Sequence, residues 1–234
     1  MPGSDPQTKT QPLTPAESRT TGTYPVLVAL FCALLVISNI AAVKLFGPDT
    51  VMVAGHEWDM TFDGGAFLFP LTYIIGDVLA EVFGFRAARR AIITGFACSA
   101  LASGVFWLVQ VMPPAANWEG QEAFEQTLGV VWRMVVASLA GYLGGQLLNA
   151  WFMGLIKRAT NGKALWVRLL GSTAVGEAAD TILFCTIAFY GVITGGQFLG
   201  YLVLGYIYKC LVEVVLLPVT YRVVAWVRRR EGLA

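Results

Sequence analysis

The stretch YPVLVALFCALLVISNIAAVKLF, residues 24–46, decides the fold, because 23 mostly apolar residues carry only one charged side chain, Lys44. A helix of about 20 such residues crosses the roughly 30 Å hydrocarbon core of a bilayer. A secretory signal has a shorter apolar core that ends at a small-residue cleavage site. The stretch therefore predicts an uncleaved membrane-spanning helix, and Lys44 lies near its end, where its ammonium reaches the interface.

Five further apolar runs follow, at about 65–84, 90–112, 127–156, 164–192 and 197–227. Their residues show none of the strict alternation that a membrane β-barrel requires, so helices are the spanning element. The sequence predicts an all-α integral membrane protein with six transmembrane helices. The predicted organisation is a disordered cytoplasmic tail over 1–23, a six-helix membrane domain over 24–227 and a basic cytoplasmic tail over 228–234.

The segment between the first two runs alternates apolar and polar residues around Ala54-Gly55-His56. This alternation predicts an outer hairpin-like loop over the mouth of the bundle, with His56 at its tip. An irregular loop is the alternative interpretation.

Composition excludes several classes of protein. Hydrophobic residues make up 56% of the chain, charged residues 13%, and the net charge is +1. The mean hydropathy is +0.65. A disordered chain, a nucleic-acid-binding domain and an ordinary cytosolic enzyme all need more charge than this. The four cysteines form no CxxC pair and there is one histidine, so we predict no disulfide framework, no metal site and no cofactor.

Lysine and arginine are distributed very unevenly between the two sides of the predicted bundle. Thirteen of the 16 cations fall in the N-terminal tail, at the C-terminal end over 222–230 and in the links at 85–90 and 157–168, whereas the opposite links contain seven acids and no cation. Cytoplasmic loops carry the excess of Lys and Arg in membrane proteins. This pattern predicts six spans with both termini in the cytoplasm.

Eight ionisable groups remain inside the predicted spans: Lys44, Asp77, Glu81, Arg133, Glu177, Asp180, Lys209 and Glu213. A charge at the middle of a bilayer costs about 2.5–3.5 kcal/mol on insertion scales. At about 1.5 Å per residue, Asp77, Glu177, Asp180 and Lys209 lie near the midplane. These groups therefore need partners, water or a ligand.

The spacing of these groups places them in polar stripes, one on each of several helices. Asp77 and Glu81 are four residues apart, as are Lys209 and Glu213, and a stripe on the fourth predicted helix includes Gln146. Stripes of this kind should face one another, which predicts a central polar pocket. The alternative interpretation is a set of ion pairs that only joins the helices, such as Lys209 with Asp180.

Aromatic side chains near the midplane add a flat apolar surface to this pocket, and Tyr73 and Phe69 lie one and two turns before Asp77. The candidate binding residues are therefore Asn39, Phe69, Tyr73, Asp77, Glu81, Arg133, Gln146, Glu177, Asp180 and Lys209. We predict no catalytic residue among them.

Five blocks of sequence resemble the bacterial queuosine precursor transporter family. They are 38–44 (SNIAAVK), 69–89 (FPLTYIIGDVLAEVFGFRAAR), 137–149, 165–189 and 208–221. The second and fourth blocks are the specific ones, and together the five extend over about residues 25–225. The resemblance implies a vitamin-uptake-like protein of the bacterial inner membrane that imports deazaguanine bases. These bases are 7-cyano-7-deazaguanine (preQ0) and 7-aminomethyl-7-deazaguanine (preQ1), the precursors of the tRNA nucleoside queuosine.

The implied substrate agrees with the chemistry of the predicted pocket. A guanine-like edge presents an N–H and an amine side by side, which one carboxylate accepts, and this role falls to Glu177 or Asp180. The carbonyl of the base needs a donor, either Asn39 or Lys209.

An aminomethyl cation, or a proton, needs a second acid site. The hypothesis assigns that role to Asp77 with Glu81. The implied partners are the small deazaguanine base and the lipid bilayer.

Three other interpretations stay open at this point. An intramembrane enzyme is disfavoured because the chain has no GxSG and no HExxH motif. A substrate-binding subunit would require an ATPase partner, because the chain has no phosphate loop. A carrier of the same fold for another small molecule is the third. The sequence leaves open whether the chain forms a homodimer or needs an energising partner.

Overall fold

The computed structural model describes residues 22–47, 51–53, 56–58, 60–159, 165–193 and 195–233. Within these residues the chain is almost entirely helical. The helices are α1 Thr23–Ala41, α2 Phe69–Phe83, α3 Phe85–Gln110, α4 Gln121–Thr127, α5 Val131–Ala159, α6 Leu165–Phe189 and α7 Gly196–Arg230. A 3₁₀ turn over Gly64–Phe67 precedes α2.

Among the described residues, five helical segments are long and apolar enough to cross a membrane: Thr23–Ala41, Phe85–Gln110, Gln121–Ile156, Gly171–Phe189 and Gly196–Arg230. Their outward faces are apolar, as lipid contact requires, and Ile93, Leu101, Leu147 and Val215 are each more than 60% exposed. The all-α, multi-pass membrane fold is confirmed. Helix α2 is not among these segments, because its 15 residues span only about 22 Å.

A small β structure connects α1 to the 3₁₀ turn. Strand β1, Leu45–Phe46, pairs with β4, Phe62–Asp63, and β2, Val51–Val53, pairs with β3, His56–Trp58, both antiparallel. The predicted hairpin between the first two helices is confirmed. His56, which the sequence places at the tip, is instead the first residue of β3 and pairs with Val53.

Hydrogen bonds between helix ends fix which elements meet at each end of the bundle. At one end, called the terminal end, the Thr23 N–H donates to Glu231 Oε1 at 2.6 Å and the Tyr24 hydroxyl donates to the Ala87 carbonyl at 3.2 Å. Arg228 donates to the Glu81 carbonyl there at 3.0 Å. The start of α1 and the end of α7 therefore lie at the same end.

The opposite end, called the hairpin end, carries the β structure. The Gly64 N–H donates to the Lys44 carbonyl at 2.9 Å, so the chain before α2 lies beside the end of α1. The hydroxyl of Tyr201, near the start of α7, donates to Asp63 Oδ2 at 2.7 Å.

Two separate apolar cores stabilise the bundle. The core of the terminal end joins α1, α2, α3 and α7 around Phe31, Leu79 and Val227. The core of the hairpin end joins the segment after α1 to α5, α6 and α7 around Phe189 and Tyr201. Polar side chains of α2, α6 and α7 occupy the region between them, at the positions where the sequence places the midplane.

Helices α5 and α6 approach each other closely through glycine. A Cβ at Gly141 would lie 2.7 Å from Asp180 Oδ1, and a Cβ at Gly176 would lie 2.8 Å from Asn149 Cβ. Only glycine permits this separation, which brings the α6 backbone and Asp180 against α5. Gly145, four residues after Gly141, meets the same part of α6, since a Cβ there would lie 2.9 Å from the Gly176 carbonyl oxygen.

Helix α7 is longer than the sequence indicates. It continues through Pro218 to Arg230, so the tail boundary predicted at 228 falls inside the helix. Basic residues in its last turn interact favourably with the helix dipole. At the other terminus, residues 1–21 of the predicted tail lie outside the described residues.

Candidate functional site

The side chains of three helices converge between the two cores. Helix α2 contributes Asp77, α6 contributes Glu177 and Asp180, and α7 contributes Lys209 and Glu213; these five form the acidic cluster. Electrostatic contacts connect Asp77 with Glu213, and Glu177 with Lys209, Asp180 and Glu213. The i,i+3 and i,i+4 spacings place each helix's members on one face, so all of them point inward.

Lys209 is the only cation of the acidic cluster. Its ammonium pairs with Asp180 Oδ2, and only 18% of the lysine side chain is exposed. The ammonium also lies over two aromatic rings, 5.4 Å from the centroid of Phe69 and 5.8 Å from that of Phe184. Cation–π contacts of this kind hold a buried ammonium in place. The sequence also predicts this Lys209–Asp180 pair under the alternative interpretation, in which ion pairs only join the helices.

Carboxyl groups outnumber cations in the cluster by four to one. The Tyr73 hydroxyl hydrogen-bonds Glu213 and lies near Asp77 and Glu177, so it satisfies part of this acid excess. Glu177 Oε2 is buried and has no hydrogen-bond partner among the described residues. A buried acceptor without a partner is costly, so the cluster can accept protons or hydrogen-bond donors from a guest.

Asn39 is buried but lies in a contact between α1 and α5. Its Nδ2 donates to the Leu35 carbonyl at 2.9 Å, and its Oδ1 accepts from the Ser138 hydroxyl at 2.8 Å. Both polar atoms of the side chain are therefore already bonded.

Arg133 lies at the hairpin end and caps α6. Its Nε donates to the Ile187 carbonyl at 2.6 Å and its Nη2 donates to the Tyr190 carbonyl at 2.5 Å. The first of these carbonyls is in the last turn of α6 and the second follows it directly, where a cation also compensates the negative end of the helix dipole. The structure does not bring Arg133 into the acidic cluster.

Two more candidates also lie apart from the cluster. The side chain of Glu81 is 68% exposed at the terminal end, where it pairs loosely with Arg228 at 3.5 Å. Gln146 is exposed on α5. Of the ten candidate residues, the structure brings together Phe69, Tyr73, Asp77, Glu177, Asp180 and Lys209.

Sequence reasoning leaves two polar contributors out of the candidate set. Glu213 has a signal in the sequence, since it follows Lys209 by four residues. Asp63 falls among the outer acids in the sequence, but it accepts from Tyr201 and from the Gly65 N–H at 2.9 Å. Burial raises the pKa of the Asp63 carboxyl above its ordinary value, although both hydrogen bonds lower it. No pattern in the sequence indicates that contact.

Two cavities border Tyr208 at its two sides. The aromatic cavity, about 150 Å³, is lined by Phe46, Phe62, Ala66, Phe67 and Tyr208. The aliphatic cavity, about 240 Å³, lies between α2 and α7 and is lined by Pro70, Tyr208, Leu211, Val212, Val215 and Leu216. Neither cavity is lined by the acidic cluster. Within the described ranges no three His, Cys, Asp or Glu side chains converge as metal ligands do.

Comparison with known proteins gives one family and several relatives. A family model described as "Putative vitamin uptake transporter" matches residues 63–223. A Bacillus subtilis protein named "Probable queuosine precursor transporter" is 29% identical over 194 residues, which are 82% of this chain and 79% of that protein. No solved structure matches.

Two further relatives carry similar names. The Escherichia coli "Queuosine precursor transporter" is 28% identical over 163 residues, 70% of this chain and 67% of that protein. A Haemophilus influenzae "Probable queuosine precursor transporter" is 28% identical over 141 residues, 60% of this chain and 57% of that protein. The matched family region contains the whole acidic cluster.

Proposed function

The chain belongs to the vitamin uptake transporter family, as its sequence predicts, and from that membership we propose that it imports queuosine precursors across the bacterial inner membrane. Its relatives are named for transport and not for catalysis, so it is not an enzyme. The proposed cargo is a deazaguanine base, preQ0 or preQ1, and the proposed binding site is the acidic cluster.

One observation supports the binding site above the others: Glu177 Oε2 is buried, and no described residue hydrogen-bonds it. A carboxylate can accept two parallel N–H bonds, and the N–H and amine of a guanine-like edge offer such a pair. Asp180 is the weaker candidate for this role because Lys209 already occupies it. We therefore assign the base edge to Glu177.

The remaining roles follow from which polar groups are free to bind. Asn39 lies outside the cluster, in the contact between α1 and α5, whereas the Lys209 ammonium lies within it and has three N–H donors, so the carbonyl of the base is assigned to Lys209. The face of Phe69, which already carries the ammonium, is placed to contact the flat ring. Asp77 with Glu213, in place of Asp77 with Glu81, would accept the aminomethyl cation of preQ1 or a proton.

The charge distribution of the cluster favours a ligand site over a purely structural ion-pair network. Such a network balances its charges, whereas here one ammonium faces four carboxyl groups. Burying unpaired acids is costly unless protons or a ligand neutralise them. A donor-rich base meets that requirement.

The proposed topology has α2 as the sixth crossing. The start of α1 meets the end of α7 at the terminal end, which requires an even number of crossings, and five long helices are an odd number. Helix α2 begins at the hairpin end and finishes beside Arg228 at the terminal end. The positive-inside rule then places the terminal end, with both termini, in the cytoplasm.

The test is uptake by cells that cannot synthesise the precursor, with queuosine in tRNA as the readout. Glu177→Gln should abolish rescue by external preQ0 and preQ1 while the purified protein unfolds at the same temperature as wild type. Glu81→Gln is the matched control, since that carboxylate is exposed, and it should rescue fully. Rescue by Glu177→Gln would remove Glu177 from the site, and no rescue by wild type would refute the function.

A further inference from the structure

The aromatic cavity at the hairpin end has no role in the binding scheme above. We infer that it is an outer subsite in which the planar ring of the base stacks before it reaches the acidic cluster. This inference rests on the proposed function, because it takes the transported molecule as the occupant.

The rings of the cavity are arranged for stacking. The ring of Phe46 lies nearly parallel to two others, 6.0 Å and 26° from Phe62 and 5.0 Å and 19° from Phe67. Tyr208 presents its ring to Phe62 at 5.7 Å and 67°, edge to face. Four rings thus surround a space of about 150 Å³. Proteins bind unpaired bases through such aromatic faces.

The backbone holds this arrangement before any ligand arrives. The β1–β4 pairing places Phe46 directly opposite Phe62. The Tyr208 hydroxyl donates to the Ala66 carbonyl at 2.9 Å, which fixes its ring as one wall. A preformed stack loses little conformational entropy when a flat ligand binds.

The neighbouring aliphatic cavity has a different lining. Apart from Tyr208, its walls are proline, leucine and valine from α2 and α7. An acyl chain fits any apolar wall, whereas a lining of four aromatic rings favours a planar π-system. The contrast supports a flat heteroaromatic occupant for the aromatic cavity.

Two segments carry residues of both the aromatic cavity and the proposed binding site. Tyr208 immediately precedes Lys209 in α7, and Phe67 lies two residues before Phe69, whose ring centroid is 5.4 Å from the Lys209 ammonium. The cavity and the acidic cluster are therefore built in part from the same two stretches of chain.

The test uses Phe67, because its side chain is 70% exposed and its truncation leaves the two apolar cores intact. Cells that cannot synthesise the precursor and that express the full-length protein are assayed for uptake of radiolabelled preQ0. Phe67→Leu should raise KM roughly 5- to 150-fold, the range produced by loss of one stacking partner, with the maximal rate unchanged. Phe67→Tyr keeps the ring and should behave as wild type.

The matched control is Phe85→Leu, the same change at a side chain that is 75% exposed at the terminal end, and its KM should stay unchanged. An unchanged KM in Phe67→Leu, with active wild type, overturns the inference but not the proposed function. An equal rise in both leucine variants also overturns it, because the effect is then one of lipid contact. Inactive wild type refutes the proposed function and the subsite with it.

Discussion

Replacing Lys209 by methionine tests whether the acidic cluster depends on its single cation. The ammonium pairs with Asp180 and interacts with Glu177, so it has two carboxyl neighbours, whereas the carboxyl groups share one ammonium. Lys209→Met leaves every acid of the cluster without a counter-charge. Asp180→Asn leaves Lys209 with Glu177 as a second partner. We therefore expect the lysine substitution to be the more damaging of the two.

The magnitude follows from the burial of the pair. Removing one partner of a buried ion pair costs about 3–5 kcal/mol, because the remaining charge is left uncompensated. Each 1 kcal/mol lowers the melting temperature of a chain of this size by roughly 2–4 °C. Lys209→Met should therefore melt about 6–20 °C below wild type. Asp180→Asn should lose clearly less, since the ammonium keeps an acidic neighbour.

The assay is thermal unfolding of the full-length protein in detergent, for both single variants and for the double variant. The double variant should be more stable than Lys209→Met alone, because one of the uncompensated acids is gone. If Asp180→Asn is at least as damaging as Lys209→Met, the cluster does not carry an acid excess and the reasoning fails.

Two further substitutions test other contacts of the bundle. Gly141→Ala places a Cβ 2.7 Å from Asp180 Oδ1 and should destabilise the protein by about 1–3 kcal/mol. The control is Gly104→Ala, whose Cβ meets open space and should not destabilise it. Equal melting temperatures of the two variants would contradict the close α5–α6 contact. Arg133→Gln removes bonds to two carbonyls, one in the last turn of α6 and one just after it. It should lower the melting temperature while leaving KM for preQ0 unchanged, and a raised KM would return Arg133 to the binding site.

The apolar runs and the spacing of the buried charges predict most of the architecture. Residues four apart on a helix share a face whatever surrounds them, so spacing alone places Lys209 and Glu213 together. The hairpin is likewise predicted from a local pattern, because the alternation of apolar and polar residues indicates two short paired strands. Periodicity is a local property, and a sequence displays it directly.

The contacts of single side chains are much harder to predict. Arg133 looks like a pocket cation from its depth in the membrane, but the free carbonyls at the end of α6 bind it. The nearer of those carbonyls is 54 residues away in the chain, and no pattern near Arg133 in the sequence indicates this contact. The aromatic cavity also depends on residues that are distant in the sequence, since Phe46 and Phe62 meet only because β1 pairs with β4.

The length of α2 shows a different limit. Hydropathy over 65–84 is continuous, yet the helix proper begins at Phe69, because Gly64–Phe67 forms a 3₁₀ turn with Asp63 accepting from Gly65. The hydropathy of a run does not reveal where one helical geometry gives way to another.

The hydrogen bond between Thr23 and Glu231 bears on how the protein is made. These residues are 208 positions apart, so α1 enters the membrane long before its capping carboxylate has been synthesised. At bacterial translation speeds that interval is roughly 10 to 40 s. Throughout it the Thr23 N–H lacks this acceptor, so the contact between the two ends of the chain forms only after nearly all of the protein has been synthesised.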